Sequence, residues 1–382
     1  MNPSGYFTNA DGDSPNGLVL SGNTLYGTTY DGGTNGNGTI FAVNTNGTGF
    51  RSLYSFSAGT GLLGMAVSNS DGANPDVGLT ISGNTLYGVT MEGGTNATGT
   101  IFAVNTNGLG FKTIYTFSAG LPNYPNDGST AYNNDGAFPY ARLTVSGNKL
   151  YGTASSGGTN GNGTIFVVNT NGTGFTVLHT FSSRDPATLT TNVDGAFPGT
   201  GLTLSGDSLY GTAFSGGANG SGTIFAINTN GMGFRTLYAF SAETANAAGI
   251  YTNSDGAGTA PDASLTLLGD TLYGGALGGG TNGNGTIFAI NTNGTTFRVL
   301  HTFSATNTYI AYQFGTNGDG ASPQGALVLS GSTLYGSTVW GGTNGNGTVF
   351  GINTNGTGFS VLHAFTVGYS NSDGANPEAG LV

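Results

Sequence analysis

A short acidic motif is the part of this sequence whose residue types and spacing are closest to metal-binding chemistry. The tetrapeptide Asn-x-Asp-Gly occurs seven times, and its acidic residues are Asp11, Asp71, Asp135, Asp194, Asp255, Asp319 and Asp373. Oxygen ligands two residues apart and followed by glycine are typical of half of a calcium loop. However, the third ligand and the bidentate glutamate are missing, and Asp-Gly is also an ordinary turn whose carboxylate binds local backbone N–H groups. We favour the turn and keep calcium as the alternative.

The histidines share one position of an internal repeat. They are His179, His301 and His363, and the corresponding residues elsewhere are Tyr54, Tyr115 and Tyr238. Because they lie in different repeats, they are not expected to converge as a metal triad or a catalytic pair. A position that accepts either tyrosine or histidine favours an amphipathic ring with a polar tip, and hence a structural role.

No nucleophile and base are arranged for catalysis, and phosphate-loop, zinc and paired-carboxylate motifs are absent from the sequence. Asn-x-Ser/Thr triplets are frequent, but turn chemistry alone accounts for Asn-Gly, so glycan attachment is only an alternative. The asparagines concerned are Asn37, Asn46, Asn96, Asn162, Asn171, Asn219, Asn284, Asn293, Asn346 and Asn355.

Four cations also share a repeat position, directly after a strand phenylalanine. They are Arg51, Lys112, Arg235 and Arg298, and Thr176 and Ser360 occupy the same place in the other two repeats. We interpret this position as the solvated face of an outer strand, where charges discourage edge-to-edge pairing.

Composition narrows the class of protein. Only 7% of the 382 residues are charged, Lys and Arg number seven, the net charge is -11 and cysteine is absent. Nucleic-acid binding requires a basic footprint that is missing here, and no apolar run is long enough to span a bilayer. The first residues lack the basic and apolar regions of a signal peptide. A chain so rich in Gly, Asn and Thr is nevertheless typical of exported surface proteins, so we expect an extracellular location with the signal outside this sequence.

The strands and turns that position the candidate residues belong to a repeat of about sixty residues. The segment Leu143 to Ser182 has close copies that start at Leu18, Leu79, Leu202, Leu265 and Leu327. Each copy contains four short apolar segments, here named strands A to D, separated by Ser-Gly-Asn, Gly-rich and Asn-Thr-Asn-Gly turns. Six such units predict an all-β fold, a six-bladed β-propeller with four antiparallel strands per blade. A right-handed β-helix is the alternative.

The repeats begin near residues 11, 71, 135, 194, 255 and 319, so residues 1–372 are expected to form a single propeller. Residues 373–382 copy the start of a repeat a seventh time and are expected to be a surplus strand or a linker. A closed six-bladed ring has places for six A strands, so one terminal segment is free to add to a neighbouring molecule. A head-to-tail contact of that kind builds open filaments when it does not close.

The recurring pattern DGAxPxxxL, LYGxxxxGG and GTIFxxNxxGxxFxxLxxF resembles the GloVer tandem repeat of bacterial surface proteins, over essentially the whole chain. In that family the repeats precede one of several alternative C-terminal anchoring domains. The resemblance implies export, cell-surface attachment and a propeller-like fold, and it implies no established catalytic site. The strand order is also similar to kelch repeats, which implies that strand A lines the central channel and strand D is outermost.

Three functions are compatible with these features. The first is a non-enzymatic extracellular structural protein that forms surfaces or fibres by head-to-tail self-association. The second is a lectin-like propeller that binds polysaccharide with its loop face, and the third is a carbohydrate-active enzyme. The enzyme requires acids that converge on the channel mouth, and the sequence offers only the repeated aspartates. We expect the structural protein, with no cofactor unless calcium binds, no nucleic-acid partner and no membrane insertion.

Overall fold

The computed structural model of the chain describes residues 8–60, 68–120, 132–247, 249–253, 264–307, 315–366, 372–377 and 380–381. All regular elements in these ranges are β-strands, apart from turns and bends. Among the described residues there is no apolar helix of bilayer-spanning length. The strands form six four-stranded antiparallel blades of a β-propeller, which confirms the predicted fold and rules out the parallel coils of a β-helix.

The first three blades follow a short strand β1 (Asp13–Pro15). Blade 1 contains β2 (Val19–Ser21), β3 (Thr24–Asp31), β4 (Thr39–Asn44) and β5 (Arg51–Ser55). Blade 2 contains β6 (Thr80–Ser82), β7 (Thr85–Thr90), β8 (Thr100–Asn105) and β9 (Lys112–Thr116). Blade 3 contains β10 (Thr144–Ser146), β11 (Lys149–Ala154), β12 (Thr164–Asn169) and β13 (Thr176–Thr180).

The last three blades include one hairpin between blades 4 and 5. Blade 4 contains β14 (Thr203–Ser205), β15 (Ser208–Ala213), β16 (Thr223–Asn228) and β17 (Arg235–Ala239), and the hairpin is β18 (Glu243–Ala245) with β19 (Tyr251–Asn253). Blade 5 contains β20 (Thr266–Leu268), β21 (Thr271–Ala276), β22 (Thr286–Asn291) and β23 (Arg298–Thr302). Blade 6 contains β24 (Ala321–Ser330), β25 (Thr333–Trp340), β26 (Thr348–Asn353) and β27 (Ser360–Ala364).

Turn chemistry sets the register within each blade. In blade 1, Leu20 pairs with Leu25 and Ser21 with Thr24 across a tight hairpin whose Gly22 has a φ of 58°. A left-handed residue of this kind matches the twist of the two strands. Strand C carries a register shift opposite strand D, between Ile40 and Phe41 in blade 1, and the same shift recurs in the other five blades.

The core lies between blades rather than within one. Five clusters of buried hydrophobic residues each join two consecutive blades. Between blades 1 and 2, for example, Ile40 and Phe56 of blade 1 pack with Leu86 and Phe102 of blade 2, and all four are fully buried. A single blade therefore cannot bury its apolar face alone, as is usual for repeat architectures.

Strand A is innermost, as the similarity to kelch repeats implies. The A strands of consecutive blades lie side by side, and a threonine in one donates its hydroxyl hydrogen to a leucine carbonyl in the next. Thr203 donates in this way to Leu265 at 2.6 Å and Thr266 to Leu327 at 2.5 Å. The residues just before strand A of every blade line the central channel, a cavity of about 360 Å³.

Candidate functional site

Among the described residues, four Asn-x-Asp-Gly motifs lie where the chain passes from one blade to the next. At the first junction, the Tyr54 hydroxyl donates to Oδ2 of Asp71 at 2.6 Å, and the Ser57 backbone N–H donates to the same oxygen at 3.0 Å. The Ser57 hydroxyl donates to Oδ1 of Asp71. Tyr54 and Ser57 belong to the end of blade 1, whereas Asp71 opens the segment that enters blade 2. The buried carboxylate therefore ties the two blades together.

The asparagine of the motif completes the junction. Oδ1 of Asn69 accepts the N–H of Gly72 at 2.8 Å and the N–H of Gly94, in blade 2, at 3.0 Å. Its Nδ2 donates to the carbonyls of Gly72 at 2.8 Å and of Ser57 at 3.1 Å. The predicted local turn is thus present in Asn69 and Gly72, but the carboxylate of Asp71 binds the preceding blade instead of its own turn.

The same arrangement recurs at the other described junctions. The pairs are Tyr115 with Asp135 at 2.5 Å, and His179 with Asp194, His301 with Asp319 and His363 with Asp373, each at 2.9 Å. The predicted polar tip of the Tyr/His position is confirmed, and tyrosine and histidine perform one task. Asp255 lies outside the described residues. Asp11 precedes blade 1, and its carbonyl accepts a hydrogen bond from the Thr39 hydroxyl at 3.4 Å.

In blades 1 to 5, the aromatic ring of the Tyr or His also stacks on a phenylalanine of the following blade. The ring centroids of Tyr54 and Phe111 are 3.7 Å apart with an interplanar angle of 3°, and those of His179 and Phe234 are 3.7 Å apart with an angle of 6°. The ring therefore contacts the next blade through its face and the next Asp through its tip, which combines apolar burial with a hydrogen bond. Every copy of the repeat has a Tyr or His in strand D and an Asp in the motif that follows. This recurrence is the sequence signal from which the hydrogen bond between them could have been found.

Burial and hydrogen bonding at the junctions shift the pKa values of Tyr54, Tyr115 and Asp319. Burial, reinforced by the hydrogen bond to Asp71, raises the pKa of the Tyr54 hydroxyl well above its ordinary range, and burial with Asp135 does the same to the pKa of Tyr115. At Asp319, burial acts to raise the pKa, but hydrogen bonds from His301 and Ser304 outweigh it and the pKa lies below its ordinary value. These tyrosines stay protonated donors and the Asp319 carboxylate stays an ionised acceptor across neutral pH.

The calcium alternative has to compete with these donors. The two carboxylate oxygens of Asp71 already accept three hydrogen bonds. Among the carboxylate oxygens of the described residues, Oδ1 of Asp135 alone is buried without a hydrogen-bond partner. Among the described residues, no three acidic, histidine or cysteine side chains are grouped as metal ligands. Calcium binding by the seven aspartates stays the alternative to the turn. At the described junctions it would require the carboxylate to exchange its protein donors for the ion.

A chelator distinguishes a calcium site from a junction that is held by protein hydrogen bonds alone. We expect Asp135→Ala to lower the free energy of unfolding by about 2 kcal/mol, because Tyr115 and Ser118 lose their buried acceptor. EDTA should leave the melting temperature of the wild type unchanged. The control is Asp11→Ala, which alters the same motif where no blade precedes it and should have little effect. A melting temperature that falls with EDTA in the wild type and recovers with calcium would establish the ion instead.

The predicted glycan acceptors fall into two environments. Asn37 and Asn162 are buried, and their Nδ2 atoms donate to the carbonyls of Ser57 and Ser182 at 2.6 Å. A corresponding bond, from Nδ2 to a carbonyl one or two residues after strand D, is made by Asn284, Asn346, Asn96 and Asn219. The exposed group lies in the turn between strands C and D and comprises Asn46, Asn171, Asn293 and Asn355. Asn96 and Asn219 are exposed too, but their Nδ2 atoms are held in the bonds just described, so the glycan alternative is retained for the turn group.

The cations of strand D do more than discourage edge pairing. Nζ of Lys112 donates to the Asn171 carbonyl of the next blade at 2.8 Å, and Arg298 donates to the Thr354 carbonyl at 3.1 Å. Arg235 makes the corresponding bond to Thr292 at 3.3 Å. The interpretation as a purely solvated face was therefore incomplete, because these exposed side chains also cross from one blade to the next.

The central channel is a second place where a ligand could bind. Its lining consists mostly of small residues that precede strand A, and the C-terminal Gly380 and Leu381 join them as a seventh copy. Among the described lining residues, Asp76 is the one acid and Arg142 the one cation. The converging acids that a glycosidase or lyase needs are not among those described residues.

Comparison with known proteins places the chain in a family. No curated protein matches its sequence. A glycoside hydrolase of family GH74 from Niastella koreensis superposes with a TM-score of 0.52 at 13% identity, over 92% of this chain and 45% of that one. An oligogalacturonate lyase in complex with manganese gives 0.50 at 10% identity, over 91% and 76%. At such identities these likenesses show the fold alone. The sequence itself matches the Gloeobacter/Verrucomicrobia repeat over residues 4–135, 62–259, 129–313 and 242–382, and the chain therefore belongs to that repeat family.

Proposed function

We propose that this protein is a non-enzymatic extracellular structural module that assembles head-to-tail through its terminal segments. The proposal is supported by a comparison of the first and the last Asn-x-Asp-Gly segments with the internal ones. An internal segment binds two blades, as Asp71 binds Tyr54 of blade 1 while Asn69 binds Gly94 of blade 2. Among the described residues, each terminal segment makes only one half of that set.

The C-terminal segment binds the blade before it. Asp373 pairs with His363 at 2.9 Å, and the N–H of Asn376 donates to the Asn346 carbonyl at 2.9 Å. The N-terminal segment binds the blade after it, because Oδ1 of Asn9 accepts the N–H of Gly33 at 3.0 Å and β1 pairs with β3. The two halves are complementary. If residues 372–381 of one copy also bind blade 1 of another, they reproduce a complete internal junction by strand addition.

The other parts of the proposal rest on composition and on the site. The described residues that line the channel do not include a pair of acids. At the four described junctions between blades, the aspartate accepts a hydrogen bond from the preceding blade and so holds two blades together. The absence of cysteine, the scarcity of charge and membership of the repeat family support an exported surface protein. Polysaccharide binding has no comparable observation in its favour.

Deletion of residues 373–382 tests the assembly. The full chain should form multimers whose mass rises with concentration, and the deleted chain should remain a folded monomer with only a small loss of thermal stability. Light scattering after size-exclusion chromatography gives the mass, electron microscopy shows whether filaments form, and far-UV circular dichroism checks the fold. The proposal is wrong if the full chain stays monomeric at high concentration or if the deleted chain assembles normally.

A further inference from the structure

We infer that, in the assembly proposed above, the outward face of blade 6 of one copy packs on the inward face of blade 1 of a second copy. The outward face of a blade is the one toward the next blade in the chain, and the inward face is the one toward the preceding blade. The inference rests on the proposed head-to-tail function and specifies its interface. It follows from the exposure of the two terminal faces and from the interface that the fold repeats between its own blades.

The internal interface has one recurring geometry. A ring of strand D in one blade stacks on the phenylalanine that precedes strand D in the next, as Tyr115 does on Phe175 and His301 on Phe359, both at 3.7 Å. Beside it, the glycine of the Asn-Thr-Asn-Gly turn packs over strand D of the preceding blade. A Cβ at Gly108 would lie only 3.0 Å from the Leu53 carbonyl oxygen, so the backbones are in close contact.

The outward face of blade 6 is open by comparison. Leu362 is 56% exposed, whereas its counterparts are buried, as Ile114 and Leu237 are, or half-buried, as Leu53, Leu178 and Leu300 are. The His363 side chain is 48% exposed, against 20% for His179. Phe365 is half-buried, although the phenylalanines at its position in blades 1 to 5 are fully buried. These are apolar groups that the other blades bury against a neighbour.

The inward face of blade 1 is exposed at the residues that, in the other blades, contact the preceding blade. Phe50, which corresponds to Phe175 and Phe359, is 49% exposed. Leu25 is half-buried, whereas the leucines at its position in the other five blades are fully buried. No atom outside the chain neighbours would lie within 4 Å of a Cβ at Gly47, although Gly108 is in contact with the preceding blade.

A second copy is the occupant that fits both faces. Its blade 1 would bring Phe50 toward His363 and Gly47 toward Leu362, so that each copy covers the groups that the internal interfaces cover. The contact joins different surfaces of the two copies, so it is heterologous and leaves an open face at each end. Because Gly380 and Leu381 already occupy a seventh position at the channel, the second copy has to be displaced along the channel axis. The product is therefore a spiral filament and not a closed ring.

Two single substitutions test the pairing of the faces. Leu362→Asp disables the outward face of blade 6, and Phe50→Asp disables the inward face of blade 1. Both side chains are exposed, so the variants should fold. Each variant alone should be monomeric, and an equimolar mixture should double the mass to a 1:1 dimer, because each retains one intact face of opposite type. Met232→Asp, at a strongly exposed turn of blade 4, is the control and should assemble like the wild type.

The results separate this inference from the proposed function. Dimers of Leu362→Asp alone would show a contact between two identical faces, and continued polymerisation of both variants would show that the terminal segment acts without the faces. The second result overturns the inference and leaves the proposed function standing, whereas the first contradicts head-to-tail assembly as well. A monomeric wild type overturns both. In that case, a gain in stability on appending a copy of residues 143–182 would identify one further repeat as the occupant of the open faces.

Discussion

Replacement of Phe181 by alanine should lower the free energy of unfolding by about 4 kcal/mol, the cost of removing a large aromatic side chain from a packed core. Phe181 directly follows strand D of blade 3 and is fully buried. Its ring lies edge-on to Phe225 at 5.5 Å and to Phe234 at 5.9 Å, both in blade 4. The substitution therefore opens a cavity in the contact between blades, which is where this fold keeps its core. Urea denaturation followed by tyrosine and tryptophan fluorescence measures the loss.

The chain contains a matched control for this prediction. Phe365 occupies the same repeat position in blade 6, but it is only half-buried because no blade follows it. Phe365→Ala should therefore cost about 1.5 kcal/mol, in proportion to the smaller area buried. Equal losses at the two positions would contradict the structure, since they would mean that the outward face of blade 6 is covered in the isolated chain.

The regular part of the fold was predictable because each turn carries its own chemistry. Ser-Gly-Asn and Asn-Thr-Asn-Gly specify hairpins wherever they occur, and the apolar spacing between them leaves four strands per unit. The additions were not predictable in the same way. The hairpin of β18 and β19 is polar and lies outside the repeat, and β24 extends strand A backwards through Pro323 by a register shift. Such pairings depend on neighbours that are distant in sequence.

The junctions were predictable by position but not by partner. The exchange of tyrosine for histidine in one column correctly indicated a ring with a polar tip. Asp-Gly correctly indicated a turn, which Asn69 and Gly72 form. What sequence reasoning missed is that Asp71 binds Tyr54, 17 residues earlier, across a connection of variable length. Local turn chemistry cannot reveal a contact that exists only once two blades have stacked.

The open faces could not be identified from residue types at all. Phe50 and Leu362 have the same residue types as their buried counterparts, or close equivalents of them, because the repeat was copied as a whole. Only their places in the first and last blades leave them exposed. A sequence pattern predicts which face of a strand is apolar, but the order of the blades decides which apolar face lacks a neighbour.

Replacement of Gly274 by alanine should also be strongly destabilising, by about 3 kcal/mol, through overpacking rather than through a cavity. Gly274 is the glycine of the Leu-Tyr-Gly signature in β21. A Cβ there would lie 2.6 Å from Cζ of Phe288 and 2.9 Å from Cδ2 of Leu265. Both partners are buried, Phe288 completely, so neither ring nor leucine has room to withdraw. The signature retains glycine because the strand-C phenylalanine lies against the backbone.

The next residue of the same strand provides the control. Gly275 has no positive φ, and a Cβ there would make only ordinary contacts of 3.4 Å and more with Pro323. The other blades carry Thr, Val or Ser at this position. Gly275→Ala should therefore be neutral or stabilising by up to about 1 kcal/mol, because alanine reduces the entropy of the unfolded chain. Urea midpoints of the two variants measure the difference. Equal effects at Gly274 and Gly275 would mean that contact with Phe288 is not what makes the signature glycine necessary.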